Sequence, residues 1–254
     1  MPVRSSGRPR LPSQNQLAEQ HRAAQARLAA QATREVLRLW LDAYQPREPS
    51  VWRALIAALV ALISSLRRES SRLATGYYIE SRAEARVPGF FVPSPAPEAP
   101  REWIEETARI AGARTYGRAL SADVPERQAR QNAGVAVAGS MERIVLDAGR
   151  RTILDAVEED REAIGWARIT DANPCAFCAM LASRGPVYSE ATARFEAHPH
   201  CACVAAPVWS RDEAWLGHSR DLYEQWRRVT AGYSGAEARR VWRRYWEGRD
   251  KSEE

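Results

Sequence analysis

The sequence predicts a mainly α-helical protein with one small α+β module near its C-terminus. Three observations lead there. Apolar residues recur at helical intervals over most of the chain, strand-like alternation is confined to two short stretches, and all four cysteines crowd into one segment of the C-terminal half.

The first twelve residues, MPVRSSGRPRLP, hold little that can be buried and read as a disordered basic tail, residues 1–12. From Ser13 the pattern turns helical. Leu17, Ala24, Leu28, Val36, Leu39 and Trp40 recur near one face, and the run stops near Pro46. Pro49-Ser50 restarts a helix, with Ser50 as its expected N-cap. That helix carries Trp52, Leu55, Ile56, Leu59, Leu62, Ile63 and Leu66 and turns more polar towards Arg86. Residues 13–86 are thus expected to form an antiparallel helical hairpin.

Residues 87–100, VPGFFVPSPAPEAP, contain five prolines and predict a stiff, extended linker. Phe90, Phe91 and Val92 at its start should lie along a helical surface or against a partner. Residues 101–163 are a central helical region. It begins at Trp103, Ile104, Ala108 and Ile110, breaks around Ser121 to Pro125, and resumes from about Glu126 with dips near Gly134 and Gly139. Met141, Ile144, Val145, Ala148, Ile153, Leu154 and Val157 supply the apolar face. Arg143, Arg150 and Arg151 among them read as a solvated face paired with Asp147, Asp155, Glu158 and Glu159.

Residues 164–209 form the small module. Gly165 to Thr170 alternates as a strand, Ala176 to Ser183 suits a short helix stopped by Gly185-Pro186, and Cys203 to Trp209 reads as a second strand that Pro207 keeps at an edge. Residues 210–254 are expected to add helices over Asp212 to Thr230 and Ser234 to Gly248. Val241, Trp242, Tyr245 and Trp246 in the last of these would pack inward, leaving Arg239, Arg240, Arg243 and Arg244 solvated or facing a partner helix or a DNA backbone.

At 254 residues the chain can bury a real core as one large domain or two small ones. Its net charge is +5, and Lys251 is the sole lysine. Arginine favours planar partners such as phosphate and carboxylate, but arginine with abundant alanine also reflects a GC-rich genome. The N-terminus lacks the apolar stretch of a secretory signal, and the longest apolar run, Ala54 to Ile63, is too short to span a bilayer. No membrane anchor is therefore expected, and the cysteines are expected in a reducing compartment.

The cysteines fall into two clusters, Cys175-Ala-Phe-Cys178 and His198-Pro-His200-Cys201-Ala-Cys203. A Cys-x-x-Cys turn aims two sulfurs at one centre, and a second cluster some twenty residues on can complete the tetrahedron of a structural zinc site. Six donors compete for four positions: Cys175 and Cys178 lead, joined by Cys203 and one of Cys201, His198 or His200. Disulfides are the rival reading, and buried cysteines without a shared role the blandest one.

Arg168-Ile-Thr-Asp171, Pro-Cys-Ala-Phe-Cys178, Gly185-Pro-Val-Tyr188 and His-Pro-His-Cys-Ala-Cys203 together resemble the C-terminal signature of the phage Mu F-like (MuF) minor head proteins, in particular their actinobacteriophage versions. The specific part covers about 45 residues, counted on the motif spacing. Where the commoner pattern ends in Cys-Arg-Cys this chain has Cys-Ala-Cys, so no role for that arginine carries over. The resemblance implies a minor capsid protein of a tailed phage or prophage, acting in head morphogenesis. It implies portal and major capsid proteins as partners, contact with packaged DNA, and a place in the capsid interior, with the host cytoplasm as the site of assembly.

Some relatives of that family are labelled capsid maturation proteases, which makes an enzyme the main alternative. A serine protease needs Ser, His and an acid converging, and outside the knuckle only His21 and His218 are available. A Cys175–His198 pair is conceivable, but the neighbouring Cys178 points to metal. The Pro-Cys-x-x-Cys half of a zinc deaminase signature is present without its His-x-Glu half. An HNH-type nuclease would use His200 but lacks the later His or Asn, and no phosphate-binding glycine loop occurs.

Overall fold

The computed structural model describes residues 12–44, 48–186, 195–211 and 215–249. It is mainly helical with a two-stranded sheet, as the periodicity predicts. The basic tail falls outside the described residues except for Pro12, and so do Val187 and Tyr188 of the family signature.

Helix α1 (Gln14–Ala43) opens on a capping box: Ser13 Oγ accepts from Gln16 N at 3.3 Å and the Gln16 side chain accepts from Ser13 N at 2.8 Å. Helix α2 (Pro49–Glu84) starts two residues earlier than Ser50 capping would require. Glu48 is its N-cap and Pro49 takes the first turn, where a missing N–H costs nothing. The two helices run antiparallel, with Gln14 Nε2 donating to Ser81 O (2.7 Å) and Gln25 Nε2 to Ser70 O (2.9 Å).

Helix α5 (Glu126–Glu159) completes a three-helix body. It runs antiparallel to α1, where Thr33 meets Glu142, and parallel to α2, where Arg67 meets the Ile144 carbonyl. Leu55, Ile56, Leu59, Ile63, Val137, Met141 and Ile144 are almost fully buried between the three, around Trp40. By length and composition α2 could cross a bilayer, but its inward stripe is spent on this core.

The expected dips in α5 are not breaks in the helix. Gly134 and Gly139 are points of close approach: a Cβ at Gly134 would lie 2.8 Å from Leu37, and one at Gly139 would lie 2.2 Å from the His200 ring. Between the proline segment and α5 lie α3 (Arg101–Thr107), a π-helical stretch (Ala108–Arg114) and α4 (Thr115–Ser121). Gly112 in the π-helical stretch faces the Trp40 ring, which a Cβ would meet at 2.2 Å.

The proline-rich segment is a strap laid antiparallel along α2. At its start the Arg82 guanidinium donates to Val87 O, Pro88 O and Gly89 O. At its end Arg67 donates to Pro97 O and Arg68 pairs with Glu98. Midway, Ala96 N donates to Thr152 Oγ1 on α5 (3.1 Å), so the segment binds two helices of the body.

Strand β1 (Gly165–Ile169) pairs antiparallel with β2 (Val204–Val208), Trp166 opposite Pro207 and Ile169 opposite Val204. In a two-stranded sheet both strands are edges, which is what admits Pro207. Every residue of both strands is buried, because the sheet packs on α5 and on the outer ends of α1 and α2. After β1 comes α6 (Ala176–Ala182), and after β2 come α7 (Ser219–Val229) and α8 (Gly235–Arg249). Helix α7 begins later than the expected Asp212: Gly217 at φ +60° turns the chain before it, and Asp212 to Ala214 lie outside the described residues. Trp242 and Trp246 of α8 are buried against α6, while Arg239, Arg240, Arg243 and Arg244 are exposed, as expected.

Candidate metal centre

The two cysteine clusters meet where α6 begins beside the turn that leads into β2. Cys175 is the N-cap of α6, with φ −63° and ψ 159°, and its Sγ accepts from Cys178 N at 3.4 Å. The turn between them faces both sulfurs the same way. Trp242 Nε1 donates to Ala176 O at 2.8 Å and Trp246 Nε1 to Pro174 O at 2.7 Å, so the last helix grips the backbone on either side of Cys175.

The second cluster comes to meet this turn. His198 Nε2 lies 2.9 Å from Cys175 Sγ and 3.8 Å from Cys178 Sγ, and Cys178 Sγ lies 3.4 Å from Cys201 Sγ. Two triads of donors result, each with its ligand atoms within 4.8 Å of one another: Cys175, Cys178 and His198, then Cys178, Cys201 and Cys203. Cys178 belongs to both. Cys178, Cys201 and Cys203 are buried, Cys175 is exposed, and all four are free thiols.

Five of the six predicted donors therefore converge, and His200 stands apart. At φ +61° its backbone is left-handed, a conformation a non-glycine residue adopts only under local constraint. Its ring lies on Gly139, and its Nδ1 is 3.4 Å from Glu142 Oε2. Thr33 Oγ1 donates to the same carboxylate oxygen at 2.9 Å. The left-handed turn that follows Pro199 sends His198 one way and His200 the other.

The donor set fits zinc. A tetrahedral ion with Zn–S near 2.3 Å requires sulfurs about 3.8 Å apart and S···N contacts of about 3.5 Å, close to the spacings here. His198 Nδ1 is 2.7 Å from Pro199 O, an acceptor, so Nδ1 carries the proton and the Nε2 lone pair faces the sulfurs. The thiol ionisation follows the same geometry. Hydrogen bonding from the Cys178 thiol, aided by the Cys178 N–H and by His198 when its imidazole is protonated, draws Cys175 down to about 5. Cys178, as donor to Cys175, Cys201 and Cys203, is pushed far up. Cys201 is held low by Cys178 and Cys203 and by the charge of Arg150. At Cys203 the hydrogen bond from Cys178 lowers the pKa, but neighbouring Cys201 and burial outweigh it and carry the group up to about 12. Neighbouring sulfurs thus oppose one another's ionisation. A bound dication would supply the positive charge that lets all the ligating sulfurs ionise together.

Two arginines form the shell behind the sulfurs, Arg150 and Arg168. Arg150 was expected on a solvated face of α5. It is 3% exposed, and its guanidinium donates to the carbonyls of both Cys201 and Cys203. Arg151, its neighbour, does face solvent and pairs with Asp155 at 3.5 Å. Arg168 on β1 donates to Glu196 O at 2.8 Å and lies 3.7 Å over the Phe195 ring, which Arg150 also faces at 5.1 Å. Burial of Arg150 lowers its pKa, and negative charge on the Cys201 and Cys203 sulfurs opposes that. No periodicity rule marks Arg150 as buried, because its partners are carbonyls more than fifty positions away in sequence.

The other two histidines are remote from this centre. His21 is buried in α1 and stacked on Tyr77 at 4.5 Å, and His218 is the N-cap residue of α7.

These features define a class: a helical protein that grips a Cys/His knuckle between a three-helix body and a tryptophan-bearing terminal helix. The family model described as VG15 protein matches residues 12–229, covering the body, the strap and the knuckle. The chain belongs to the VG15 family, a phage-associated family of virion proteins. No curated protein and no solved structure matches it significantly.

Proposed function

We propose that this protein is a MuF-type minor capsid protein of a tailed phage or prophage, acting in head morphogenesis, with a structural zinc in its knuckle. The observation that carries the reading is the convergence of Cys175, Cys178, His198, Cys201 and Cys203 inside a chain of a phage virion family. Four of these five would hold the ion. The zinc crosslinks two segments of a module built on a pair of five-residue strands and a seven-residue helix, so metal binding is coupled to the folding of the module.

In this reading the partners are the portal and major capsid proteins, in the capsid interior, with packaged DNA within reach of the exposed arginines of α8. Purified mature particles should contain the protein at a small fraction of the major capsid copy number, and it should co-purify with portal. Its absence from particles in which portal is readily detected would remove the reading.

One observation favours a second reading, the capsid maturation protease. Cys175 is exposed at a helix start, 2.9 Å from an imidazole nitrogen, the arrangement of a thiolate nucleophile and its base. Co-expression with the major capsid protein separates the two. The metal reading expects no cleavage. The protease reading expects cleavage that Cys175→Ser abolishes and Cys178→Ser spares.

A further inference from the structure

The metal centre holds more donors than one tetrahedral ion uses, and they group in threes. Cys175, Cys178 and His198 form one set and Cys178, Cys201 and Cys203 the other, each with its ligand atoms within 4.8 Å of one another. Cys178 Sγ stands between them, 3.8 Å from His198 Nε2 and 3.4 Å from Cys201 Sγ. The first set lies at the surface, where Cys175 is exposed and His198 half-buried, and the second is buried throughout. Three donors in a plane around an ion, at bonds near 2.3 Å, sit about 4 Å apart, so each set is already close to a trigonal site. A single zinc has to draw its fourth ligand across from the other set. Two four-coordinate ions sharing one ligand would need about seven donors, whereas two three-coordinate ions sharing one need only the five that converge here.

The charge behind the sulfurs points the same way. Arg150 and Arg168 are each 3% exposed. The Arg150 guanidinium donates to the Cys201 and Cys203 carbonyls, and Arg168 Nη1 has no hydrogen-bond partner among the described residues. Four thiolates holding two monovalent ions carry two negative charges, which the two guanidiniums match. Two dications would cancel the thiolates entirely and leave both buried guanidiniums without counter-charge.

We infer that the knuckle is a two-ion site for a soft monovalent metal, copper(I), with the Cys178 thiolate bridging the pair. One ion is held by Cys175, Cys178 and His198, the other by Cys178, Cys201 and Cys203. Thiolate suits copper(I) as well as zinc, and imidazole suits copper too. No electron is transferred: each thiol that becomes a ligand gives its proton to solvent, and a zinc ion already present leaves as the two coppers enter. The inference rests on the reading of the knuckle as a metal centre and goes beyond its single structural zinc.

Anaerobic titration of the full chain as purified, with copper(I) supplied as a coloured chelate and zinc release followed in the same sample, tests it. Two coppers should enter per chain and any zinc should leave. Cys203→Ser and His198→Ala each remove a donor from one set alone, so each should lower the uptake from two coppers to one. Circular dichroism identifies which variant keeps the fold, and either one suffices. The wild type decides without them: X-ray absorption of the copper-loaded chain should show a second copper within about 4.6 Å, the limit for two ions on one sulfur at bonds near 2.3 Å. Uptake of one copper or of more than two, a folded variant that still takes two, or loaded copper with no copper neighbour would overturn the two-ion site and leave the single-zinc reading standing. A chain that binds neither zinc nor copper would remove the metal centre itself, and this inference with it.

Discussion

Replacing Arg150 by Met should weaken zinc binding and the fold together. The methionine matches the length of the arginine stem and removes the charged head. In the wild type that head donates to the Cys201 and Cys203 carbonyls from a site only 3% exposed. Hydrogen bonds from a charged donor contribute about 1.5–3 kcal/mol each, and each buried carbonyl left unpaired costs about 1–3 kcal/mol. Part of this is offset because a guanidinium no longer has to be desolvated. The net loss should be about 2–4 kcal/mol in the zinc-loaded protein. The positive charge also faces the thiolates, so zinc affinity should fall about 10–100-fold, the usual effect of losing a group behind the ligands. Competition against a chromophoric chelator gives the affinity, and denaturant unfolding of metal-loaded protein gives the stability. Arg150→Lys should recover part of both. Unchanged affinity and stability in Arg150→Met would refute the idea that α5 holds the knuckle through this side chain.

Gly112→Ala should destabilise by about 1–3 kcal/mol despite alanine's better helix propensity, because the new Cβ meets the buried Trp40 ring at 2.2 Å; thermal melting checks it. Asp160→Asn should cost about 3–5 kcal/mol by leaving buried Arg82 without its counter-charge, and limited proteolysis should then cut the strap near Gly89. His21 confers a pH dependence. Burial lowers its pKa to about 3 in the folded protein, against about 6.5 when unfolded, so the unfolded chain takes up a proton first as pH falls. Stability is complete above about pH 6.5 and is lost as pH falls towards 3, by about 2 kcal/mol at pH 5. Unfolding at pH 8 and pH 5 should show this difference shrinking in His21→Leu.

The sequence made the helices and the module legible because those signals are local. The helix start at Ser13, the stiff run of prolines, the turn at Cys175 and the edge proline at 207 all declare themselves within a few residues. What stayed hidden depends on distant partners. Gly134 and Gly139 look like weak points in a helix until Leu37, Trp40 and His200 are brought against them. Arg150 and Arg151 are adjacent and look alike, yet one faces the knuckle and the other solvent. Trp242 and Trp246 were legible as core residues, but their indole bonds to Ala176 and Pro174, respectively, could not be read from spacing. At the knuckle the two cysteine clusters showed which residues would meet. The left-handed turn at His200, which separates it from His198, has no signature beyond the preceding proline.

The most direct measurement of the central claim is metal analysis of the protein purified without added metal or chelator, followed by unfolding before and after metal removal. The account predicts about one zinc per chain, as four-ligand coordination requires. It also predicts loss of that zinc in Cys178→Ser, the residue common to both triads, and unfolding of the segment from Arg168 to Trp209 on chelation. Metal-free protein with disulfides among the four cysteines and a melting temperature indifferent to chelator would contradict it.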